Sequence, residues 1–419
     1  MENGTNKITD IFPEDLIGNT PLVRSSKMFP NSKVYIKPEW LNPGGSIKDR
    51  IALHLVNQAE QSNLIKKGGT IVEPTSGNTG AGLALVAAQR GYKCIFTCSD
   101  KVSEEKVALL RSLGAEVIIT SSLLSTSDEG SYISLARSIA NKTPNAWMPD
   151  QYHSDDNPKA HEISTGPEIW EQTKGRVTHV LATTGTGGTL TGLATFFKKI
   201  NPSVKIIGVD PEGSVYSGSE PKPYLTEGPG KDELPPFWQK GLVDEIYVIS
   251  DEEAFSCARK FSKMEGMLIG GSSGMVLAAV EKLLSAEPQA LVVAVLPDSG
   301  RAYMSKIYND KWMLTNGFST DSCNVDYSEN LSINKLRSAT DLKGCVEILN
   351  AGETLVALTK GGAPRSVIEI EKLCRKDGLG SVVTEPIKPV GVYDPGILIR
   401  SENEYRLVVK NGRILGYIN

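Results

Sequence analysis

From about residue 33 to residue 298, short β-branched runs alternate with longer amphipathic ones, and no other feature restricts the fold of this chain as strongly. That rhythm belongs to βαβ units, in which a helix carries the chain back to a neighbouring parallel strand. Strand candidates are 33–37, 70–73, 93–97, 116–120, 178–183, 205–209, 245–249 and 290–296. Helices are expected between them at 48–61, 79–90, 103–113, 130–141, 190–200, 251–265 and 274–284. Within the first, Ile51, Leu55 and Ala59 recur every four residues, the spacing of one buried helical face. At 103–106, Ser103 precedes Glu104 and Glu105, acidic residues where the helix dipole favours them. The expected class is α/β, doubly wound.

A length of 419 residues suits two or three compact units. With 40% hydrophobic and 22% charged residues, the chain is not mostly disordered. Lys and Arg number 45 against 49 Asp and Glu, so charge gives no case for nucleic acid or an anionic membrane as partner. The longest apolar stretches, 81–88 and 290–297, fall far short of the ~20 residues of a spanning helix. Residues 1–15 show no basic segment followed by an apolar one, so a secretory signal is not expected. Cys94, Cys98, Cys257, Cys323, Cys345 and Cys374 lack metal or disulfide spacing, and reduced cysteines in a cytoplasmic protein are expected. His153 and His161, beside Asp155 and Asp156, read as ordinary loop residues, so no metal is expected. The charges at 101–106, Lys106 among them, read as a solvated face. A small molecule is the expected partner.

Three glycine-rich loops follow expected strands. In Asn42-Pro43-Gly44-Gly45-Ser46-Ile47-Lys48-Asp49-Arg50, a turn leads into a helix that Ser46 could cap. Lys48 then stands at a helix start, where the dipole repels it. It is either a solvent-facing lysine or an amine of depressed pKa able to act as base or Schiff-base former. The second loop, Glu73-Pro74-Thr75-Ser76-Gly77-Asn78-Thr79-Gly80, offers backbone donors and hydroxyls suited to a carboxylate or phosphate. The third, Thr184-Gly185-Thr186-Gly187-Gly188-Thr189, exposes enough main chain to cradle a phosphate. It is neither a Walker loop nor the dinucleotide pattern. Each alone could be a tight strand-to-helix turn; three at the carboxyl ends of parallel strands point to one cofactor site.

Asn42 to Arg50, Pro74 to Gly80, Thr184 to Thr189 and Gly270-Gly271-Ser272-Ser273-Gly274 together resemble the motifs of the fold-type-II pyridoxal-phosphate enzymes. They are most similar to the branch of the cystathionine β-synthases and cysteine synthases. The resemblance runs from about residue 15 to 318, from Leu16-Ile17-Gly18-Asn19-Thr20-Pro21-Leu22 to beyond Leu296-Pro297-Asp298. It implies a catalytic domain over residues 1–318 with two doubly wound, parallel-type sheet subdomains, the smaller at roughly 45–150. It also implies that Lys48 holds pyridoxal 5′-phosphate as a Schiff base and that Asn78 bonds the ring hydroxyl. By the same resemblance, Gly185, Thr186, Gly187, Gly188 and Thr189 seat the phosphate, and Ser272 faces the pyridine nitrogen. Thr75, Ser76, Thr79 and Gln151 would bind the substrate carboxylate, with Tyr152 and Glu227 where a second substrate enters.

The implied chemistry is β-replacement. Lys48 takes the α-proton, the β-substituent departs to leave an aminoacrylate, and a nucleophile adds. Val209-Asp210-Pro211-Glu212-Gly213-Ser214, residues 301–318 and Glu227 resemble the cystathionine β-synthase side, implying serine and homocysteine as substrates. The alternatives are cysteine synthesis from O-acetylserine or O-phosphoserine with sulfide, or a catalytically silent ligand-binding relative. Pro229 and Lys231-Asp232-Glu233-Leu234-Pro235-Pro236 depart from the usual pattern where the second substrate enters. The match starts about fifteen residues from Met1, so haem is not expected, and the family implies a homodimer. After Phe318 a polar linker is expected at 319–332. Apolar runs at 346–349, 355–358, 381–383, 396–399 and 406–409 then suffice for a small α+β domain over 333–419. Its two ends resemble those of a single degenerate regulatory module of the cystathionine-β-synthase type.

Overall fold

The computed structural model describes residues 10–318, apart from 76, 101, 103, 122–123, 125–127 and 240, and strands between 337 and 418. The chain divides into two compact units, Met1–Ala302 and Tyr303–Asn419. The first opens with a short strand β1 (Val23–Arg24) and β2 (Lys33–Pro38), then α1 (Lys48–Gln61). Next come β3 (Thr70–Pro74), α2 (Asn78–Arg90), β4 (Lys93–Ser99), α3 (Glu104–Ser112), β5 (Glu116–Thr120), α4 (Tyr132–Lys142) and β6 (Ala146–Trp147). Two helices, α5 (Asp156–Ile163) and α6 (Thr165–Gln172), lead to β7 (His179–Thr183), α7 (Gly188–Ile200) and β8 (Lys205–Pro211). β9 (Glu245–Ile249), α8 (Asp251–Glu265), α9 (Gly271–Ala286) and β10 (Leu291–Leu296) complete it.

These strands form two sheets, β1-β2-β10-β7-β8-β9 and β5-β4-β3-β6. Every pairing is parallel except β1 with β2. β3 and β10 are buried along nearly their whole length, as parallel strands covered on both faces must be, and their Thr-Ile-Val and Val-Val-Ala-Val runs supply the apolar side chains. In the smaller sheet Ile71 and Phe96 pack against Leu83 and Val56. In the larger, Val180 and Val293 pack against Leu193 and Phe197. A capping box starts α8, where Ser250 Oγ accepts the Glu253 N–H and Glu253 returns a bond to the Ser250 N–H.

A buried ionic cluster sets where α1 begins. The Arg50 guanidinium donates to both oxygens of Glu39 (2.6 and 2.9 Å) and both of Glu168 (2.6 and 2.8 Å), and Lys37 Nζ reaches Glu168 at 2.8 Å. Burial alone would raise the Glu168 carboxyl; the Arg50 bonds and the Arg50 and Lys37 charges hold it at about 2. Residues on three separate elements are thereby tied to the helix that carries Lys48.

Helices α5 and α6 were not expected from the sequence. The buried positions of α5 are Asn157, Ala160 and His161, mostly polar, so no apolar periodicity marks the helix. His161 is correspondingly not a loop residue but a fully buried helical one, whereas His153 is exposed and bonds Asp150. α9 begins at Gly271, three residues before the expected start, because glycine and serine open it.

In the second unit α10 (Asp310–Thr315) is followed by a sheet of β11 (Arg337–Ala339), β12 (Leu355–Lys360) and β13 (Ala363–Glu369). An antiparallel sheet joins β14 (Tyr393–Asp394), β15 (Ile397–Ile399), β16 (Arg406–Lys410) and β17 (Arg413–Ile418). The expected linker at 319–332 and the runs at 346–349 and 381–383 lie outside the described residues. Among the described residues no helix is long and apolar enough to cross a membrane.

Candidate active site

The site lies where β3, β7 and β10 end, beside the start of α1. Gly45 N–H donates to Asn42 O (2.8 Å) and Gly44 N–H to Asp49 Oδ2 (2.6 Å), closing the loop before Lys48. Ile47 N–H donates to Pro297 O (2.9 Å), which fastens this loop to the exit of β10 and brings Asp298 into the neighbourhood of Lys48. The expected Ser46 cap is corrected: Ile47 is the N-cap residue, and Ser46 Oγ only accepts the Lys48 N–H at 3.2 Å. Lys48, Asn78, Ser272 and Asp298 line one cleft together with Thr186, Gly187 and Thr189.

Burial first, then the like charge of Lys231, bring the Lys48 amine down from an ordinary 10.5 to about 8, with Asp298 opposing both. Asp298 also accepts from Asn78 Nδ2 (2.9 Å), and Ser272 Oγ lies 3.5 Å from its other oxygen.

Thr79 Oγ1 donates to Gln151 Oε1 (2.7 Å), and Thr75 Oγ1 accepts the Gly80 N–H (3.2 Å). Thr75, Thr79 and Gln151 are therefore brought together; Ser76 lies outside the described residues. Beneath them Glu73 accepts the Asp150 (3.0 Å) and Gln151 (3.2 Å) N–H groups, and burial pushes its carboxyl up to about 8 against those two bonds. Glu73→Ala is expected to raise the KM of the amino-acid donor about tenfold with a smaller change in kcat, since two buried N–H groups lose their acceptor. An unchanged KM would separate Glu73 from the positioning of Gln151.

The third loop forms a cup at the start of α7, where the first N–H groups of a helix have no partner within it. Gly187, at φ +79°, turns the chain, and a Cβ there would stand 2.9 Å from Tyr216 Oη. Gly188 leaves no room either, because a Cβ would fall 1.9 Å from Asn157 Oδ1. From α5, Asn157 Nδ2 donates to Thr186 Oγ1 (3.0 Å) and to Gln151 O (2.8 Å). One turn on, His161 Nε2 is 3.2 Å from Thr189 Oγ1. Burial first, then the charges of Lys48 and Arg50, hold that imidazole neutral. Tyr216 Oη donates to Gly185 O (2.9 Å) on the far side of the cup.

Glu227 lines the cleft and pairs with Lys106 of α3, so Lys106 belongs to the mouth of the cleft rather than to a solvated face. Lys231 Nζ stands 3.8 Å from the centre of the Tyr152 ring. Asn157, His161 and Lys106 were missed as site residues. The first two stand at i and i+4, a shared helical face that becomes visible only once α5 is known to exist. Among the described residues no His, Cys, Asp or Glu cluster could hold a metal ion.

A buried amine of lowered pKa, a glycine cradle without room for side chains and a hydroxyl-lined loop fit pyridoxal phosphate. The cradle suits the dianionic phosphate and the amine the aldehyde.

Comparison with known proteins agrees. Residues 13–298 match the family described as pyridoxal-phosphate dependent enzyme. Cystathionine β-synthase of Mus musculus is 42% identical over 332 residues, 76% of this chain and 59% of that protein, so the chain spans under two thirds of that relative. The Apis mellifera protein of that name is 40% identical over 438 residues, 98% of this chain and 85% of its own length. A probable cysteine synthase of Bacillus subtilis (strain 168) is 40% identical over 305 residues, 71% of this chain and 96% of that one. The crystal structure of O-ureido-L-serine synthase superposes with a TM-score of 0.67 at 32% identity, covering 73% of this chain and 99% of that one. The chain belongs to the pyridoxal-phosphate dependent enzymes, in the branch of the cystathionine β-synthases and cysteine synthases.

Proposed function

We propose that the chain carries out β-replacement on serine or an activated serine, with homocysteine as the acceptor and cystathionine as the product. The observation that carries this reading is the Lys48 amine, partly buried in the cleft at a pKa of about 8 beside a glycine cup and a carboxylate loop. When bound, pyridoxal phosphate supplies an electron sink for charge developing at the substrate Cα. Lys48 Nζ would hold the cofactor and would be the group to take the Cα proton; a base works best with a pKa near the working pH. Gly185, Thr186, Gly187, Gly188 and Thr189 seat the phosphate through the cup that Asn157 and His161 support. Asn78 and Ser272, both within reach of Asp298, would hold the ring hydroxyl and the ring nitrogen respectively. Thr75, Ser76, Thr79 and Gln151 hold the donor carboxylate, while Tyr152 and Glu227 stand at the acceptor's entrance.

The acceptor is chosen on two grounds. Similarity to the honeybee cystathionine β-synthase extends through 98% of the chain, and Glu227 lines the cleft. Cysteine formation from O-acetylserine or O-phosphoserine and sulfide is the second reading, favoured by the match to 96% of the Bacillus subtilis protein. Visible spectra of the holoenzyme, with serine, O-acetylserine and O-phosphoserine added separately, identify the donor. Serine is expected to change the spectrum, and homocysteine rather than sulfide to restore it. Restoration by sulfide alone would select the second reading, and a spectrum indifferent to all three donors would overturn both.

We further propose that the enzyme is a cytoplasmic homodimer whose residues 333–419 form one degenerate regulatory module after the 1–318 catalytic domain. Adenosyl compounds titrated into the full chain should then release or absorb heat; none on mixing would argue against a ligand-binding tail.

A further inference from the structure

The ammonium of Lys231 stands beside the active-site cleft, close enough for its charge to act on Lys48, and the β-replacement chemistry above gives it no role. Lys231 is held firmly by its backbone: its N–H donates to Ser214 Oγ (3.1 Å) and its carbonyl accepts the Val215 N–H (3.0 Å). The preceding residue, Gly230, donates to Thr184 Oγ1 at the start of the phosphate cup (3.2 Å). The side chain of Lys231 therefore projects from a fixed base, and its ammonium rests 3.8 Å from the centre of the Tyr152 ring. Tyr152 directly follows Gln151 of the carboxylate loop. Among the described residues this ammonium has no carboxylate partner. Its charge reaches Lys48, since it contributes to lowering that amine. A ring face is worth only ~0.5–2 kcal/mol to a cation and leaves its N–H donors unspent. A cation kept near a second cation, without a counter-ion, is arranged for an anion that arrives with the substrate.

We propose that Lys231 is a specificity-determining residue that binds the carboxylate of the acceptor amino acid. This rests on the reading of the enzyme as one with an amino-acid acceptor. The donor's carboxylate already has the Thr75–Thr79–Gln151 loop, so the acceptor's is the anion left without a place. A leaving phosphate would also be anionic. However, Glu227, four residues earlier and paired with Lys106, puts a negative charge at the same mouth. Mixed charges suit a zwitterion better than a dianion. Inorganic sulfide, unlike an amino-acid acceptor, brings no carboxylate for such a lysine to hold.

The test compares Lys231→Met and Lys231→Arg with the unaltered holoenzyme, using serine as donor and homocysteine, 2-sulfanylethanol or sulfide as acceptor. Lys231→Met is expected to raise the KM for homocysteine about ten- to a hundredfold, the worth of one charge-assisted hydrogen bond. The KM for serine and the KM for the neutral thiol should stay within about twofold, any change in kcat from the lost charge near Lys48 should be shared by homocysteine and the neutral thiol, and Lys231→Arg should restore most of the homocysteine KM. Equal losses with homocysteine and 2-sulfanylethanol would overturn the proposal. So would a loss confined to serine or O-phosphoserine, which would move the subsite to the donor. Weaker retention of pyridoxal phosphate by Lys231→Met would assign the lysine to the phosphate cup instead. Failure of the underlying reading looks different: the unaltered enzyme would then use sulfide but not homocysteine, or use no acceptor at all, and the assignment would fall with it.

Discussion

Lys48→Ala removes turnover by a factor of at least ~10³ and leaves the protein folded. In the role proposed for Lys48, the substitution would delete both the covalent hold on the cofactor and the proton acceptor at Cα, and a positioned base alone is worth ~10²–10⁴. Folding should survive because the Lys48 side chain lies in the cleft, whereas the bonds that anchor the helix start belong to its neighbours. Asp49 takes the Gly44 N–H, and Arg50 carries the buried ionic cluster. Steady-state rates and the far-ultraviolet spectrum check both halves. Retention of even about a tenth of the activity would sink the assignment of Lys48 as base.

The same amine predicts a pH dependence of cofactor capture. Only the neutral amine can form the covalent link, and in the folded chain Lys48 is held at about 8 rather than 10.5. Its pKa is lowered, so the reactive form accumulates as pH rises and is largely present above that value. The rate at which the cofactor-free chain captures pyridoxal phosphate should rise about tenfold per unit up to pH ~8 and then level. Continued rise toward pH 10 would mean that neither burial nor Lys231 acts on Lys48 as described, or that Asp298 outweighs them.

What could be read from the sequence depended on the range of the interactions involved. The helices Lys48–Gln61 and Asp251–Glu265 and the strands Glu116–Thr120 and Glu245–Ile249 coincide with the stretches that periodicity marks. Apolar spacing and caps are properties of neighbours along the chain. The three glycine-rich loops were legible for the same reason, as each is a local strand-to-helix turn. The supports of those loops were not. α5 buries an asparagine and a histidine rather than leucines, so its pattern resembles a loop until Thr186 and Thr189 are seen against it. Lys106 and Glu227 are 121 residues apart, and no local rule joins them. Asp298 carried a motif, but its place between Asn78 and Ser272 follows from the Ile47–Pro297 bond that fastens two distant loops.

That dependence on Asn157 makes Gly188→Ala a damaging addition of a single methyl group to the site. Within an ordinary helix, replacing glycine by alanine stabilises by ~1 kcal/mol. Gly188 is the first residue of α7 and its φ is not in the left-handed region, so its backbone would accept alanine. The obstacle is steric. The new Cβ would lie 1.9 Å from Asn157 Oδ1 and 2.4 Å from its Cγ, so the asparagine must leave its place. On leaving, it gives up Thr186 Oγ1 in the phosphate cup and Gln151 O beside the carboxylate loop, disturbing both ligand sites at once. Two buried hydrogen bonds and the overpacking together are worth ~3–4 kcal/mol, so affinity for pyridoxal phosphate should fall at least ~100-fold and the donor KM should rise with it. Equilibrium dialysis of the cofactor measures the first effect and initial rates at saturating cofactor the second. The double variant Gly188→Ala/Asn157→Ala separates crowding from the loss of the asparagine. With the side chain trimmed, the added methyl group should cost little more than Asn157→Ala alone, the non-additivity expected of residues in contact. If Gly188→Ala binds the cofactor as tightly as the unaltered chain, the cup does not depend on α5.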